Sequence, residues 1–262
     1  MKRSGSDFVL SLERGLAVVR AFGTEGRPLT LTDVSKIVGI PRASARRFLL
    51  TLVATGYART DGKFFELLPS VLELGYAYLS SMGFVELANL QLAQATRTLG
   101  ETCSMFVLEE RDAVCVATAP NSRRSAFTRI QVGSRLPAHA TAAGQALLAS
   151  LNDKELEAFL DEGPLERFTD ETITHHDDLR TRIAQIREKG FSIVTGTLEF
   201  GLQAIAVPLT LSNGRTLGAV NASRRASNER GEALRTIFLP ALLDLANQCC
   251  RTHELLASAQ PH

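Results

Sequence analysis

The chain has 262 residues, 45% of them hydrophobic and 22% charged, with a formal net charge of +1 at neutral pH. That balance fits a soluble globular protein of more than one domain, and it excludes a disordered polyelectrolyte or an indiscriminate polycation. Near-neutrality hides an asymmetry: residues 1–68 carry eleven Lys or Arg against six Asp or Glu, whereas residues 69–262 carry eighteen against twenty-two.

At the N-terminal end, the apolar stretch of residues 8–12 is bracketed by Asp7, Glu13 and Arg14, which suits neither a signal peptide nor a membrane span. The protein is therefore expected in the cytoplasm, with no membrane partner. The next signal is a pair of short helices. Thr32 is placed to cap the first, with Asp33 in its first turn, where negative charge suits the helix dipole. Val34, Ile37 and Val38 fall on one face, and Gly39 ends the helix because glycine enters the left-handed region at no steric cost. Pro41 is expected at the first position of the second helix, where its missing N–H is not needed. Around that helix Ala45, Phe48, Leu49 and Leu52 share one side, Ala43, Arg46 and Arg47 face away, and Arg42 and Ser44 flank them.

A buried stripe opposite a basic, small-residue face is how a helix-turn-helix approaches the major groove, with arginines pairing to phosphates or guanine edges. Tyr57–Thr60, Asp61-Gly62 and Lys63–Leu68 then read as a β-hairpin, since Asp-Gly suits a tight turn. A hairpin after a recognition helix is a wing, bringing Arg59 and Lys63 near the backbone of double-stranded operator DNA. The candidate DNA contacts are Thr32, Pro41, Arg42, Ala43, Ser44, Arg46, Arg47, Arg59 and Lys63. The plainer alternative is a helical subdomain with ordinary solvated arginines, and the proline-opened arginine helix combined with a wing favours DNA over it.

Pro69 separates this module from a helix over Ser70–Ser81, closed near Gly83. Val71, Leu72, Leu74, Tyr78 and Leu79 give that linker more apolar surface than a lone connector needs, which implies contact with a second copy in a homodimer or dimer of dimers. Beyond it the pattern predicts a helix over Val85–Leu99 and strands over Cys103–Leu108, Ala113–Ala117 and Phe127–Val132. Helices are expected over Ala140–Leu151, over Asp153–Leu160 with Asn152 and Glu155 as a capping pair, and over Thr174–Lys189 with Thr174 and Asp177 in those roles. Strands over Phe191–Val194, Ala204–Val207 and Leu217–Ala222 precede a terminal helix from about Glu229 to Leu256. One sheet flanked by helices follows, a sensor-like domain. Cys103, Cys115, Cys249 and Cys250 lack metal or redox spacing and read as buried free thiols.

Several segments together resemble the IclR family of bacterial transcription regulators: Ser11–Phe22, the helix from Pro41 to Gly56, Leu72-Glu-Leu-Gly75, Val132–Gly144, Leu198-Glu-Phe-Gly-Leu202 and Ile205-Ala-Val-Pro208. The detail is most similar to the branch controlling protocatechuate, 4-hydroxybenzoate and β-ketoadipate catabolism. The resemblance implies an α+β protein: a winged helix-turn-helix over residues 1–68, a linker helix over 69–83 and a GAF-like effector-binding and oligomerisation domain over 84–262. It also implies an effector pocket lined around Ala142 and Ala143 and by Thr195, Ala204, Asn221 and Ser223, and no chemistry or cofactor of the protein's own. RNA polymerase is a further candidate partner.

The residues add to this independently. His139–Gly144 is a helix start made of small residues, so a carboxylate can reach free backbone N–H groups near Thr141, with Arg129, Arg135 and His139 as candidate countercharge. The expected effector is a small aromatic or dicarboxylic acid. Where the branch commonly has Ser-Met-Gly-Arg this chain has Ala142-Ala-Gly-Gln145, and it lacks the acid and the cysteine that some members carry at the positions of Thr195 and Ala204. These departures leave a roomier and less charged pocket. The competing class is a small-molecule enzyme or sensor carrying a helical accessory domain. His175-His176-Asp177-Asp178 is the run that suggests it, but adjacent helical side chains point about 100° apart and no catalytic motif or metal spacing accompanies them.

Overall fold

The computed structural model describes residues 8–81, 83, 85–121, 130–226 and 232–259, which divide into two compact units, Met1–Ser81 and Met82–His262. In the first, α1 (Leu10–Glu25), α2 (Leu31–Val38) and α3 (Arg42–Ala54) surround a core of Val18, Phe22, Leu29, Val34, Ala45, Leu49 and Phe65. β1 (Leu29–Thr30), β2 (Ala58–Thr60) and β3 (Phe64–Leu67) form an antiparallel sheet in the order β1-β3-β2. This is the winged helix-turn-helix that the sequence predicts, with differences of register. Thr30, not Thr32, caps α2: its hydroxyl accepts from Asp33 N at 3.2 Å while the Asp33 carboxylate accepts from Thr30 N at 2.9 Å. The reciprocal bonds require the acid three residues after the cap, a spacing Thr32 lacks.

Ile37 lies 41% exposed and stays out of the core, because α2 is only two turns long and Val34 and Val38 occupy its inner side. Pro41 precedes α3 with extended backbone, and its carbonyl accepts from Ala45 N. In the hairpin, Arg59 pairs with Glu66 and Thr60 with Phe65, so Gly62 and Lys63 form the turn centre and Asp61 flanks it. Gly62 supplies the positive φ of 96°, and the Asp61 carboxylate accepts from the N–H groups of Lys63 and Phe64. A 3₁₀ turn over Pro69–Val71 leads into α4 (Leu72–Ser81), which the division of the chain groups with the first unit.

The second unit holds α5 (Val85–Leu99), β4 (Thr102–Glu109), β5 (Asp112–Ala119), β6 (Arg135–Pro137), α6 (Ala142–Ala149), α7 (Asp153–Asp161), α8 (His176–Lys189), β7 (Ser192–Thr195), β8 (Leu202–Thr210), β9 (Thr216–Arg225) and α9 (Leu239–Ala259). Its sheet is antiparallel throughout, in the order β6-β5-β4-β9-β8-β7. Alternation sends Phe106, Ala204 and Ala206 toward α6, while Ile205, Val207 and Leu209 take the opposite face, along which α9 runs. α7 and α8 close a further cluster with Leu148 of α6.

Several boundaries move. The third strand is Arg135–Pro137 rather than Phe127–Val132; Ile130–Val132 are not strand, and the rest of that prediction lies outside the described residues. A 3₁₀ turn occupies Ala138–Ala140, so α6 starts after its N-cap Thr141, whose hydroxyl accepts from Gly144 N. Asn152 and Glu155 form the expected capping box of α7. Thr174 and Asp177 do not cap α8, which begins at His176; the Thr174 hydroxyl accepts from Arg167 and Asp177 pairs with Arg180. Cys103, Cys115 and Cys249 are buried free thiols, pushed by burial up to about 11, 11 and 12.

Candidate nucleic-acid interface and ligand cavity

Burial of Ala45 and Leu49 fixes the rotation of α3, and Arg42, Ala43, Arg46 and Arg47 are consequently exposed, with Ser44 half-buried. Among the described residues none of these three guanidinium groups has an acidic partner, so each is free to meet an anion. The wing differs. Arg59 donates through Nε and Nη2 to Glu66 at 2.9 and 2.7 Å across the hairpin, which neutralises it locally. Lys63 stands at the turn with Nζ 5.1 Å from the Phe64 ring centre. Thr32 is half-buried in the first turn of α2.

The second unit contains a cavity between the sheet and the start of α6. Its floor is Phe106, Val194, Leu202 and Ala204; Thr141, Ala142 and Ala143 of the α6 N-terminus form one end. Asn221 and Ser223 of β9 contribute polar groups, and Ile130, Leu136, Ala140, Thr197 and Leu198 complete the wall. The register explains the neighbours: Ala204 lies opposite Ser223 and Ala206 opposite Asn221, so short side chains leave space beneath the helix. Helix geometry leaves the Ala142 and Ala143 amides without intrahelical acceptors, whereas those of Gly144 and Gln145 bond to the Thr141 hydroxyl and carbonyl. The Asn221 side-chain oxygen is buried with no hydrogen-bond partner among the described residues. An amide carbonyl in that position leaves about 1–3 kcal/mol of hydrogen bonding unrealised.

The loop carrying Thr197 and Leu198 is tied down by hydroxyl groups. Thr169 donates to the Gly196 carbonyl and Thr172 to that of Thr197, each at 2.6 Å, and Thr197 donates to the Ala140 carbonyl at 2.7 Å.

Of the ten positions expected around a ligand, the cavity brings together Thr141, Ala142, Ala143, Ala204, Asn221 and Ser223. Thr195 is exposed on the opposite side of β7, because its neighbour Val194 takes the inward position. Arg135 is held on the surface by Glu109 at 2.6 Å and Asp112 at 2.9 Å. His139 is buried away from the cavity, its Nε2 2.9 Å from the Glu166 carbonyl and its ring near Phe168. Burial, partly opposed by that hydrogen bond, holds the imidazole below its ordinary pKa, so it brings no countercharge at neutral pH. Arg129 lies outside the described residues. Sequence reasoning missed the apolar wall: Phe106 was visible only as a strand residue, and Thr197 carried no signal of its own.

Comparisons with known proteins now bear on these two features. Residues 76–251 match the model of the C-terminal part of bacterial transcriptional regulator IclR, and residues 11–62 match the IclR helix-turn-helix domain. The Pca regulon regulatory protein of Pseudomonas putida is 39% identical over 249 residues, covering 95% of this chain and 85% of the relative. The p-hydroxybenzoate hydroxylase transcriptional activator of Acinetobacter baylyi is 34% identical over 251 residues, covering 92% and 91%. Among solved structures, a double mutant of the inducer-binding domain of the Acinetobacter transcription factor PobR, in complex with 3-hydroxybenzoic acid, is 29% identical. Its TM-score is 0.57, and it covers 63% of this chain and 96% of that one. No described helix is long and apolar enough to cross a membrane.

Proposed function

The chain belongs to the IclR family of bacterial transcriptional regulators, and we propose that it is a cytoplasmic switch for aromatic-acid catabolic genes, set by a small hydroxylated aromatic acid. The observation that carries the ligand reading is the buried Asn221 oxygen, without a partner among the described residues, in a largely apolar cavity that ends at a helix N-terminus. An aromatic hydroxy acid matches all three features. Its carboxylate meets the Ala142 and Ala143 amides and the positive end of the α6 dipole, its ring lies against Phe106, Val194 and Ala204, and its hydroxyl donates to Asn221. A dicarboxylic acid matches less well, because its second anion would face a carbonyl oxygen and apolar walls. The name of the p-hydroxybenzoate hydroxylase activator and the hydroxybenzoate held by the PobR domain support the same chemical class.

At the other end, α3 is proposed to enter the major groove with Arg46 and Arg47 foremost and Arg42, Ala43 and Ser44 beside them, Pro41 and Thr32 lying near the backbone. Lys63 is the wing's candidate for a phosphate contact, with Arg59 following only after exchanging Glu66 for phosphate. α4 exposes Leu72 at 74% and Tyr76 at 61%, a cost in water that contact with a second copy would remove. A homodimer or dimer of dimers reading a near-palindromic operator fits that surface.

Three measurements test this reading. Replacing Arg46 and Arg47 together with alanine is expected to weaken binding to a fragment of the protein's own promoter by about 2–4 kcal/mol. The same variant should unfold in urea at an unchanged midpoint; undiminished DNA affinity would remove α3 from the groove. Multi-angle light scattering is expected to return a multiple of the 28.4 kDa chain, and a single-chain mass would remove the α4 contact. Ala143→Trp should abolish the thermal stabilisation that 4-hydroxybenzoate gives the parent, because the indole fills a close-packed cavity, while DNA affinity without ligand persists. Full stabilisation of the tryptophan variant would place the ligand elsewhere.

A further inference from the structure

The cavity has a helix dipole for an anion but, among the described residues, no charged side chain in its wall, and the residues expected to supply countercharge are paired, neutral or outside the described residues. A cation does stand behind that wall. Arg182, half-buried on α8, donates through Nε to Gln145 Oε1 at 3.1 Å and through Nη2 to the carbonyl of Ile193. Gln145 Oε1 also accepts from the Ser192 hydroxyl at 3.0 Å, and its Nε2 donates to the His139 carbonyl at 2.9 Å. Every acceptor around the guanidinium is therefore neutral, and among the described residues no carboxylate pairs with it. Burial, the sole cause of any shift, works against its charge, yet an arginine stays protonated throughout the physiological range.

The placement sets this charge one residue behind the cavity wall. Ile193, whose carbonyl it holds, adjoins the lining residue Val194. Gln145 and His139 bracket the first turn of α6, where the Ala142 and Ala143 amides open. Taking a guanidinium partly out of water without an anion is unfavourable unless something else supplies the negative charge. We propose that Arg182 is the electrostatic selector of the cavity: held by Gln145, Ser192 and the Ile193 carbonyl, it makes the site prefer a carboxylate over a neutral molecule of the same shape without touching it. This rests on the ligand reading above and goes beyond it, since it assigns charge selection to a residue outside the wall.

The test is a ratio, because general loosening of the fold would weaken both ligands together. Titration calorimetry on the full chain would compare 4-hydroxybenzoate with 4-hydroxybenzamide in the parent, in Arg182→Gln and in Gln145→Glu. The second variant keeps the arginine and sets a carboxylate directly on it. The parent is expected to favour the acid, and each variant to lose at least about fivefold of that preference, the scale of a partly screened charge at short range. An unchanged ratio in the variants that fold reduces Arg182 to a packing role and overturns the inference alone. A parent that binds neither molecule overturns the ligand reading and this inference with it.

Discussion

The close approach of α6 to the chain that precedes it is the constraint on which the second unit depends. A Cβ built on Gly144 would lie 2.3 Å from both the Cα and the carbonyl oxygen of Ala138, so only glycine lets the 3₁₀ turn fold back against the helix. Ala142, Ala143 and Ala146 extend the same economy of volume along the face that meets the sheet. Packing at that distance holds the helix N-terminus over Ala204 and Ala206, and the cavity is the space these short side chains leave. A regulator of this kind needs a ligand site whose donors are fixed before the ligand arrives, and the proposed use of backbone amides on a wedged helix meets that need.

Charge is handled differently on α3 and at several sites of the second unit. On α3 the arginines are exposed and have no acidic partner among the described residues, as suits groups that must exchange water and counterions for phosphate. In the second unit several arginines are tied: Arg135 to Glu109 and Asp112, Arg180 to Glu157 and Asp177, Arg187 to Asp153. Arg111 instead donates to the carbonyls of Phe159, Gly163 and Pro164, fastening the end of α7. Arg182 likewise meets only neutral acceptors, and one of them, the Ile193 carbonyl, adjoins the cavity wall.

Features set by local periodicity were legible in the sequence. The arginine face of α3, the capping box of α7 and the small-residue start of α6 each follow from residues within two turns of one another, and the span of α5 from a pattern sustained over its 15 residues. What the sequence concealed depends on register or on distant contacts. A shift of two residues moved the α2 cap from Thr32 to Thr30, and one residue of strand phase turned Thr195 away from the cavity. His139 looked like a ligand group because nothing nearby in sequence reveals that Glu166 and Phe168 enclose it. Arg182 is separated from Gln145 by 37 positions, and no pattern in either segment announces the pair.

Regulation through the cavity requires that its occupation change how the arginine face meets DNA, so that the ligand binds two arrangements of the protein with different affinity. The direct measurement is fluorescence anisotropy of a labelled fragment from the protein's own promoter, titrated with the full chain in the absence and presence of saturating 4-hydroxybenzoate at fixed salt. The dissociation constants are expected to differ by at least about fivefold, in either direction. Superimposable curves, with the acid shown by calorimetry to be bound, would contradict regulation through the cavity.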